Sequence, residues 1–203
     1  MQRTDFFMKK KELALLIGFL LTVLLCSFTA FAKGSSDLTG EVLRLHVLAN
    51  SDSGRDQQLK LLVKDALVEE YGDLYRNCAD LAQAAETAEK NLTAMRLTAE
   101  RVLRENGCSD PVRVSVERYA FHTRVYDTFA LPAGTYTAVR VEIGKAAGQN
   151  WWCVMFPPLC ESPALDKQDV EDFSAEAQDV LEAEPTYDVR FAIVDFFVSL
   201  FGG

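Results

Sequence analysis

The spacing of the apolar residues changes along this chain, and the change fixes the expected fold class. From residue 59 to residue 102, apolar side chains recur every three or four positions, which predicts helices. From 111 to 143 they alternate with polar ones, which predicts strands. Because these segments occupy separate stretches, we expect an α+β domain with helices packed on a mainly antiparallel sheet.

Local signals give the limits of the first two elements. Residues 41–49 alternate between apolar and polar side chains and predict a strand with one better-buried face. Ser53, followed three residues later by Asp56, matches a capping box and predicts the start of a helix. We expect this helix to end near Tyr71, with Gly72 as its cap.

The remaining elements of the domain follow in the same way. A second, longer helix is expected to begin at Leu81 and to end at Asn106-Gly107. Three further strands are expected at residues 111–121, 135–143 and 151–156. The predicted order is therefore β-α-α-β-β-β in a single exported domain that covers residues 37–160.

The first 32 residues have the layout of an export signal. Three consecutive lysines precede the run 13–32, which contains no charged residue and closes on Ala-Phe-Ala. This pattern predicts a signal peptide cleaved after Ala32. The run is also about long enough to span a hydrocarbon core of roughly 30 Å, so an uncleaved N-terminal membrane anchor is the alternative. In both cases the positive residues stay inside and the rest of the protein is exported.

The C-terminal part has two stretches of contrasting character. Residues 161–188 hold ten acidic residues and one base, and we expect an acidic helix or linker over 161–185. Residues 186–203 place five large apolar side chains on one helical face and predict an apolar C-terminal helix. The preceding acidic stretch would repel anionic lipids, so we expect this helix to dock on the domain's own sheet or on a receptor.

Composition excludes several classes of function. The net charge of −9 is opposite to that of surfaces that bind nucleic acid, so we expect no nucleic-acid partner. The chain has two histidines, and none of its five cysteines lies in a CxxC pair, so we expect no metal site and no cofactor.

One group of residues invites a catalytic interpretation. His46, Ser51 and Asp52 supply an imidazole, a hydroxyl and a carboxylate close together after a strand. The sequence lacks the G-x-S-x-G turn that exposes a serine nucleophile. Ser51 and its neighbours also stand at a helix start, where such side chains cap backbone N–H groups. We therefore expect no catalytic residue.

The cysteines limit which disulfides can form. Cys78 and Cys108 lie at opposite ends of the longer predicted helix, too far apart to pair with each other. Cys153 and Cys160 are separated by six residues that include two prolines, and this short chain can fold back to form a bridge. The alternatives are a bridge from Cys78 or Cys108 to one of this pair, or four free thiols.

Two adjacent tryptophans form a further candidate site. Trp151 and Trp152 are successive residues of a predicted strand, so their side chains should point to opposite faces of the sheet. We expect one to face the core and the other to face outward. The outward indole is a candidate anchor for a partner, because tryptophan is favoured at binding hot spots.

Three segments carry a resemblance to a known family. They are LRLHVLANSDSGRDQQLKLLVKDALV at 43–68, TFALPAGTY at 128–136 and NWWCVMFPPLC at 150–160. Together they closely resemble the stage II sporulation protein R family of endospore-forming bacteria. The resemblance covers nearly all of the predicted exported domain, and its motifs are long and unusual.

The resemblance implies a signalling protein rather than an enzyme. It would be made in the forespore and exported into the space between the two membranes. There it would trigger a membrane-embedded aspartic protease to cleave the precursor of sigma factor E, and it would contact the membrane only through its N-terminal segment or its receptor. The candidate receptor contacts are His46, Asn50, Ser51, Asp52, Trp151 and Trp152.

Two other functions compete with this one. A secreted hydrolase could use His46 and Asp52, with the cell wall as a possible substrate. A passive structural protein of the intermembrane space is the weaker alternative. Activation of the protease by a His46→Ala variant would count against the hydrolase.

Overall fold

The computed structural model describes residues 10–125 and 130–158. They form three helices, which are α1 Lys10–Glu41, α2 Gly54–Tyr75 and α3 Leu81–Glu105. They also form six strands, which are β1 Leu43–Leu48, β2 Val112–Phe121, β3 Arg124–Val125, β4 Ala130–Leu131, β5 Gly134–Ile143 and β6 Asn150–Phe156.

Four of the strands form one mixed sheet in the order β2-β5-β1-β6. Strand β1 runs parallel to β5 and antiparallel to β6, and β2 pairs with β5 in antiparallel register. The protein is therefore α+β, as predicted, with two antiparallel pairs and one parallel pair in its main sheet. In the part of the chain that connects β2 to β5, strands β3 and β4 pair with each other over two residues and form a separate sheet.

Helices α2 and α3 cover one face of this sheet and form the main core with it. The β1 side chains Leu43, Leu45 and Val47 on this face are completely buried, as are Val139 and Val141 of β5. Each such side chain contributes about 1.5–3 kcal/mol when it is removed from water. This core fixes the position of β1 and of the residues that follow it.

The opposite face of β1 is buried as well, so the expectation of one better-buried face is wrong. Arg44 and His46 have no exposed surface. Aromatic rings cover them, and the Arg44 guanidinium lies 4.1 Å from the centre of the Phe121 ring. The alternation of apolar and polar residues in β1 therefore corresponds to two buried faces, one apolar and one polar.

The end of helix α2 also differs from the sequence-based expectation. The helix continues past Gly72 to Tyr75, and Arg76 is its cap. Gly72 is buried within the helix, and Tyr71 and Tyr75 are buried against the core. Packing of these tyrosines outweighs the tendency of a glycine to end a helix.

Other predicted limits coincide with the structure. The side chain of Ser53 accepts a hydrogen bond from Asp56 N and caps α2. Helix α3 begins at Leu81, and Asn106 is its C-cap.

The segment before β1 is helical up to the edge of the sheet. Helix α1 continues through Ala32 to Glu41, so the strand begins at Leu43 and not at residue 41. Its C-terminal end packs on the domain, where Leu38 is completely buried and Thr39 approaches Gly134. Among the described residues, no helix combines the length and apolar character that crossing a membrane requires.

Several predicted features lie outside the described residues. They are the acidic segment 161–185, the apolar helix 186–203 and Cys160. Cleavage after Ala32 likewise stays a prediction.

Candidate functional site

The six candidate contact residues lie around one corner of the sheet. Because β1 is parallel to β5 and antiparallel to β6, the ends of β1 and β5 and the start of β6 share one edge. We call residues 46–56 and 144–152 the sheet corner. Several hydrogen bonds join these two segments, so the corner behaves as one structural unit.

An acidic side chain holds the first segment in place. The Asp56 carboxylate accepts hydrogen bonds from Ser51 Oγ at 2.5 Å and from Asn50 Nδ2 at 2.9 Å. These two bonds hold the pKa of Asp56 below its usual range. Asn50 and Ser51 thus serve as donors to a helix-start carboxylate, and their side chains have a structural role here.

The second segment closes onto the first through backbone groups. Lys145 N donates to Asn50 Oδ1 at 3.0 Å, and Gln149 N donates to Asp52 Oδ1 at 2.7 Å. Gly148 N donates to Ala49 O at 2.9 Å. These bonds satisfy the polar groups of two loops that would otherwise need water.

Two glycines make this close approach possible. A Cβ atom on Gly148 would lie 2.2 Å from Ser51 O, and one on Gly144 would lie 2.4 Å from Asn50 Oδ1. Gly144 also has a φ of 58°, a left-handed conformation that favours glycine. Any side chain at either position would force the two segments apart.

A buried lysine ties the corner to helix α2. Lys60 Nζ donates to Gln149 O at 3.0 Å and to Gln57 Oε1 at 2.6 Å. Gln57 Nε2 in turn donates to Ser51 O at 2.9 Å. Burial lowers the pKa of Lys60, and the nearby Asp52 carboxylate opposes this effect.

The corner does not assemble a catalytic triad. His46 Nε2 lies 3.1 Å from Asn150 Oδ1, whereas Ser51 donates to Asp56 and Asp52 accepts from Gln149. No hydrogen bond among the described residues joins His46 to Ser51 or to Asp52.

Burial, aided by two nearby arginines, lowers the pKa of His46 to about 4. An imidazole with so low a pKa is a weak base at neutral pH. His46 is also completely buried, which is not the position of a side chain that touches a partner.

The two tryptophans lie on opposite faces of the sheet, as alternation along a strand requires. Trp151 pairs in register with Val47 on the helix-covered face, and it is 38% exposed, with Lys64 Nζ 5.1 Å from the centre of its ring. Trp152 pairs in register with His46 and is half-buried, with the two ring centres 5.8 Å apart. Trp151 is therefore the more exposed of the two indoles, although it lies on the face that α2 and α3 cover.

The face that carries Trp152 was not anticipated from the sequence. It lies opposite α2 and α3, and we call it the arginine–aromatic face. Its central members are Arg44, His46, Tyr119, Phe121, Tyr136, Arg140 and Trp152. Cations stack on its rings, since Arg124 lies 4.0 Å from the Trp152 ring centre and Arg140 lies 4.9 Å from that of Tyr119. The signal that could have revealed it is the placement of Tyr119 and Phe121 at alternate positions of β2, with Tyr136 and Arg140 on one face of β5.

The cysteines of the described residues differ in their bonding state. Cys153 is disulfide-bonded, whereas Cys26, Cys78 and Cys108 are free. The alternatives of a bridge to Cys78 or Cys108 and of four free thiols are therefore wrong, and the pairing of Cys153 with Cys160, which lies outside the described residues, stays a prediction. In the described part of the chain, no group of three or more His, Cys, Asp or Glu side chains could hold a metal ion.

Comparison with known proteins decides the family. The family model for stage II sporulation protein R matches residues 39–165. The chain belongs to the stage II sporulation protein R family. This confirms the resemblance drawn from the three segments, all of which lie within the matched range.

A relative from Bacillus subtilis (strain 168) supports the same assignment. It is named Stage II sporulation protein R, and it is 30% identical over 183 residues that cover 79% of this chain and 82% of the relative. Its name is that of a sporulation protein and not of an enzyme. No solved structure matches this chain.

Proposed function

We propose that this protein is an exported signal of sporulation that activates a membrane-embedded aspartic protease. In this proposal it leaves the forespore, acts in the intermembrane space and causes the protease to cleave the precursor of sigma factor E. It acts by contact and has no catalytic activity of its own. Membership of the stage II sporulation protein R family is the observation that carries the proposal.

The sheet corner is the proposed receptor contact. Trp151 is the largest exposed apolar side chain of the corner, and the loops beside it are held by hydrogen bonds to Asn50 and Asp52. A partner that binds a rigid surface loses little conformational entropy, so more of the contact energy appears as affinity. Tryptophan in such a setting is a common hot spot.

The state of the candidate catalytic residues supports contact over hydrolysis. His46 is buried and bonded to Asn150, and Asp52 accepts from the backbone of Gln149. In the described part of the chain, no hydrogen bond joins either residue to the Ser51 hydroxyl, which donates to Asp56 instead.

Coexpression in a non-sporulating host tests the proposal. The full chain, the membrane-embedded aspartic protease and the sigma-E precursor are produced together, and precursor cleavage is scored by immunoblot. We expect cleavage when all three are present and none when this chain is omitted. Absence of cleavage with a folded, exported chain would overturn the proposed function.

A pair of variants tests the contact surface separately. Trp151→Ala should lower cleavage about 30-fold, the equivalent of a hot spot of about 2 kcal/mol. Leu97→Ala is the matched control, because Leu97 is 49% exposed on α3, away from the corner. Full activity of Trp151→Ala would show that the receptor is bound elsewhere while leaving the signalling role intact.

A further inference from the structure

We propose that the end of helix α1 binds to the folded domain and thereby protects the chain from cleavage after Ala32. Cleavage is then possible only before the domain has folded. Chemically it is a hydrolysis, in which water adds across the Ala32–Lys33 peptide bond and gives a carboxylate on Ala32 and an amine on Lys33. The inference rests on the export part of the proposed function and is independent of protease activation.

The last turns of α1 carry a face that is buried on the domain. Ser35, Leu38 and Thr39 follow the spacing i, i+3, i+4 of one helical face, and Val42 comes directly after the helix. Leu38 and Val42 have no exposed surface, and Ser35 is only 6% exposed. Gly40, on another side of the helix, is exposed. The end of α1 is therefore a packed element of the domain.

A glycine in the sheet allows this face to approach closely. Gly134 begins β5, and a Cβ atom there would lie only 2.7 Å from Thr39 Cγ2. Such a Cβ would point to the same side of β5 as Tyr136 and Arg140, because alternate residues of a strand share a face. The end of α1 therefore packs on the arginine–aromatic face, and burial of Leu38 stabilises the contact.

The same helix continues through the predicted cleavage site. Helix α1 extends from Lys10 to Glu41, so residues 30–33 lie within it. Backbone groups inside an α-helix bond to one another, whereas a protease needs an accessible chain with free backbone groups. The buried Ser35 follows Ala32 by three residues, which is less than one helical turn. A peptidase could therefore extend the chain at Ala32 only by unwinding the helix beside its docked face.

This docking becomes possible only late in export. Gly134, which receives Thr39, follows the first four strands and both α2 and α3 along the chain. A chain that is exported from its N-terminus presents Ala32 well before β5 is available for docking. Once the domain has folded, cleavage requires local opening of the packed end of α1. The bond is therefore open to cleavage early and protected afterwards.

The order in which folding and peptidase are combined tests this directly. The full chain is unfolded in urea and diluted into detergent that already contains a purified bacterial signal peptidase. In a second sample it refolds first, as circular dichroism verifies, and receives the same peptidase afterwards at the same final urea concentration. Mass spectrometry measures cleavage after Ala32. We expect the refolded chain to be cleaved at least about tenfold more slowly, because cleavage of a folded protein follows the population of its open form.

Two variants separate docking from the sequence of the cleavage site. Leu38→Ala removes most of a fully buried side chain, leaves residues 30–33 unchanged, and should speed cleavage of the refolded chain about tenfold. Gly134→Val crowds Thr39 from the sheet side and should act in the same direction. Leu97→Ala is the matched control, since Leu97 is 49% exposed on α3, and it should match the parent protein.

Several outcomes would overturn the proposal. Equal cleavage of the two samples would show that the folded domain gives no protection. Absence of cleavage in both samples would show that docking is not what protects the bond. The same would follow if both variants refolded and were cleaved no faster than the parent protein.

Amide hydrogen exchange supplies a measurement that needs no variant. In the refolded full chain, the amides of residues 38–41 should exchange slowly, because their helical turn is packed on the sheet. Exchange as rapid as in an isolated helix would contradict the docking. None of these measurements involves the sigma-E precursor, so a failure here leaves the proposed signalling role to its own test.

Discussion

His46 makes the stability of this protein depend on pH in a range where most carboxylates do not titrate. Burial lowers its pKa in the folded state to about 4, compared with 6.5 when it is exposed. Between these values the unfolded chain binds a proton that the folded protein excludes. The free energy of unfolding therefore has its full value above pH 6.5 and decreases as the pH falls toward 4.

The size of this effect follows from the separation of the two pKa values. A pH of 5 is about 1.5 units below the pKa of the imidazole in the unfolded chain. The free energy of unfolding is therefore lower at pH 5 by about 2 kcal/mol. The hydrogen bond to Asn150 Oδ1 raises the pKa of His46 and so opposes this loss, but burial outweighs it. We expect the loss to appear as a lower urea midpoint with an unchanged slope.

Urea unfolding of the full chain in detergent, followed by circular dichroism, measures this dependence at pH 7, 6 and 5. His46→Gln removes the titrating group and should flatten the curve of stability against pH by about 2 kcal/mol, even though it lowers stability at pH 7. His122→Gln is the control, since His122 is exposed. A wild-type curve that is flat from pH 7 to 5, or an equally steep curve for His46→Gln, would refute the argument from burial.

Other predictions concern the corner and the thiols. Gly148→Ala should lower the free energy of unfolding by about 2–4 kcal/mol, because its Cβ would lie 2.2 Å from Ser51 O and displace at least two hydrogen bonds. Gly54→Ala, where a Cβ meets nothing within 4 Å, should change it by less than about 1 kcal/mol, and equal stability of the two variants in urea would contradict the close approach. In urea without reductant, maleimide should label Cys78 and Cys108 but not Cys153. Cys153 should react only after its disulfide is reduced. Mass spectrometry of the labelled peptides measures both outcomes.

Secondary structure could be predicted here because the patterns are local. The cap of α2 depends only on Ser53 and Asp56, and the strands β2 and β5 follow from alternating side chains. The end of α2 could not be predicted, since Tyr75 is held by packing against distant residues. Gly72 taken alone indicated that α2 would end near Tyr71.

The second buried face could not be predicted for a similar reason. Arginine and histidine are usually exposed, so Arg44 and His46 indicated a solvent-facing side of β1. Their burial depends on Phe121 and Tyr136, which approach only after β2 and β5 have joined the sheet. The tight contact at Gly148 likewise follows from the parallel pairing of β1 with β5, which no local pattern specifies.

The closure of the sheet corner has a consequence for the order of folding. The hydrogen bonds that Lys145 N donates to Asn50 and Gln149 N donates to Asp52 join residues 95 and 97 positions apart. Contacts this distant in sequence carry the largest loop-closure cost and form only after nearer elements are in place. The corner can thus be complete only in a chain that is intact from Asn50 to Gln149 and has finished folding. A partner that recognises the corner would respond to finished molecules and ignore fragments and folding intermediates.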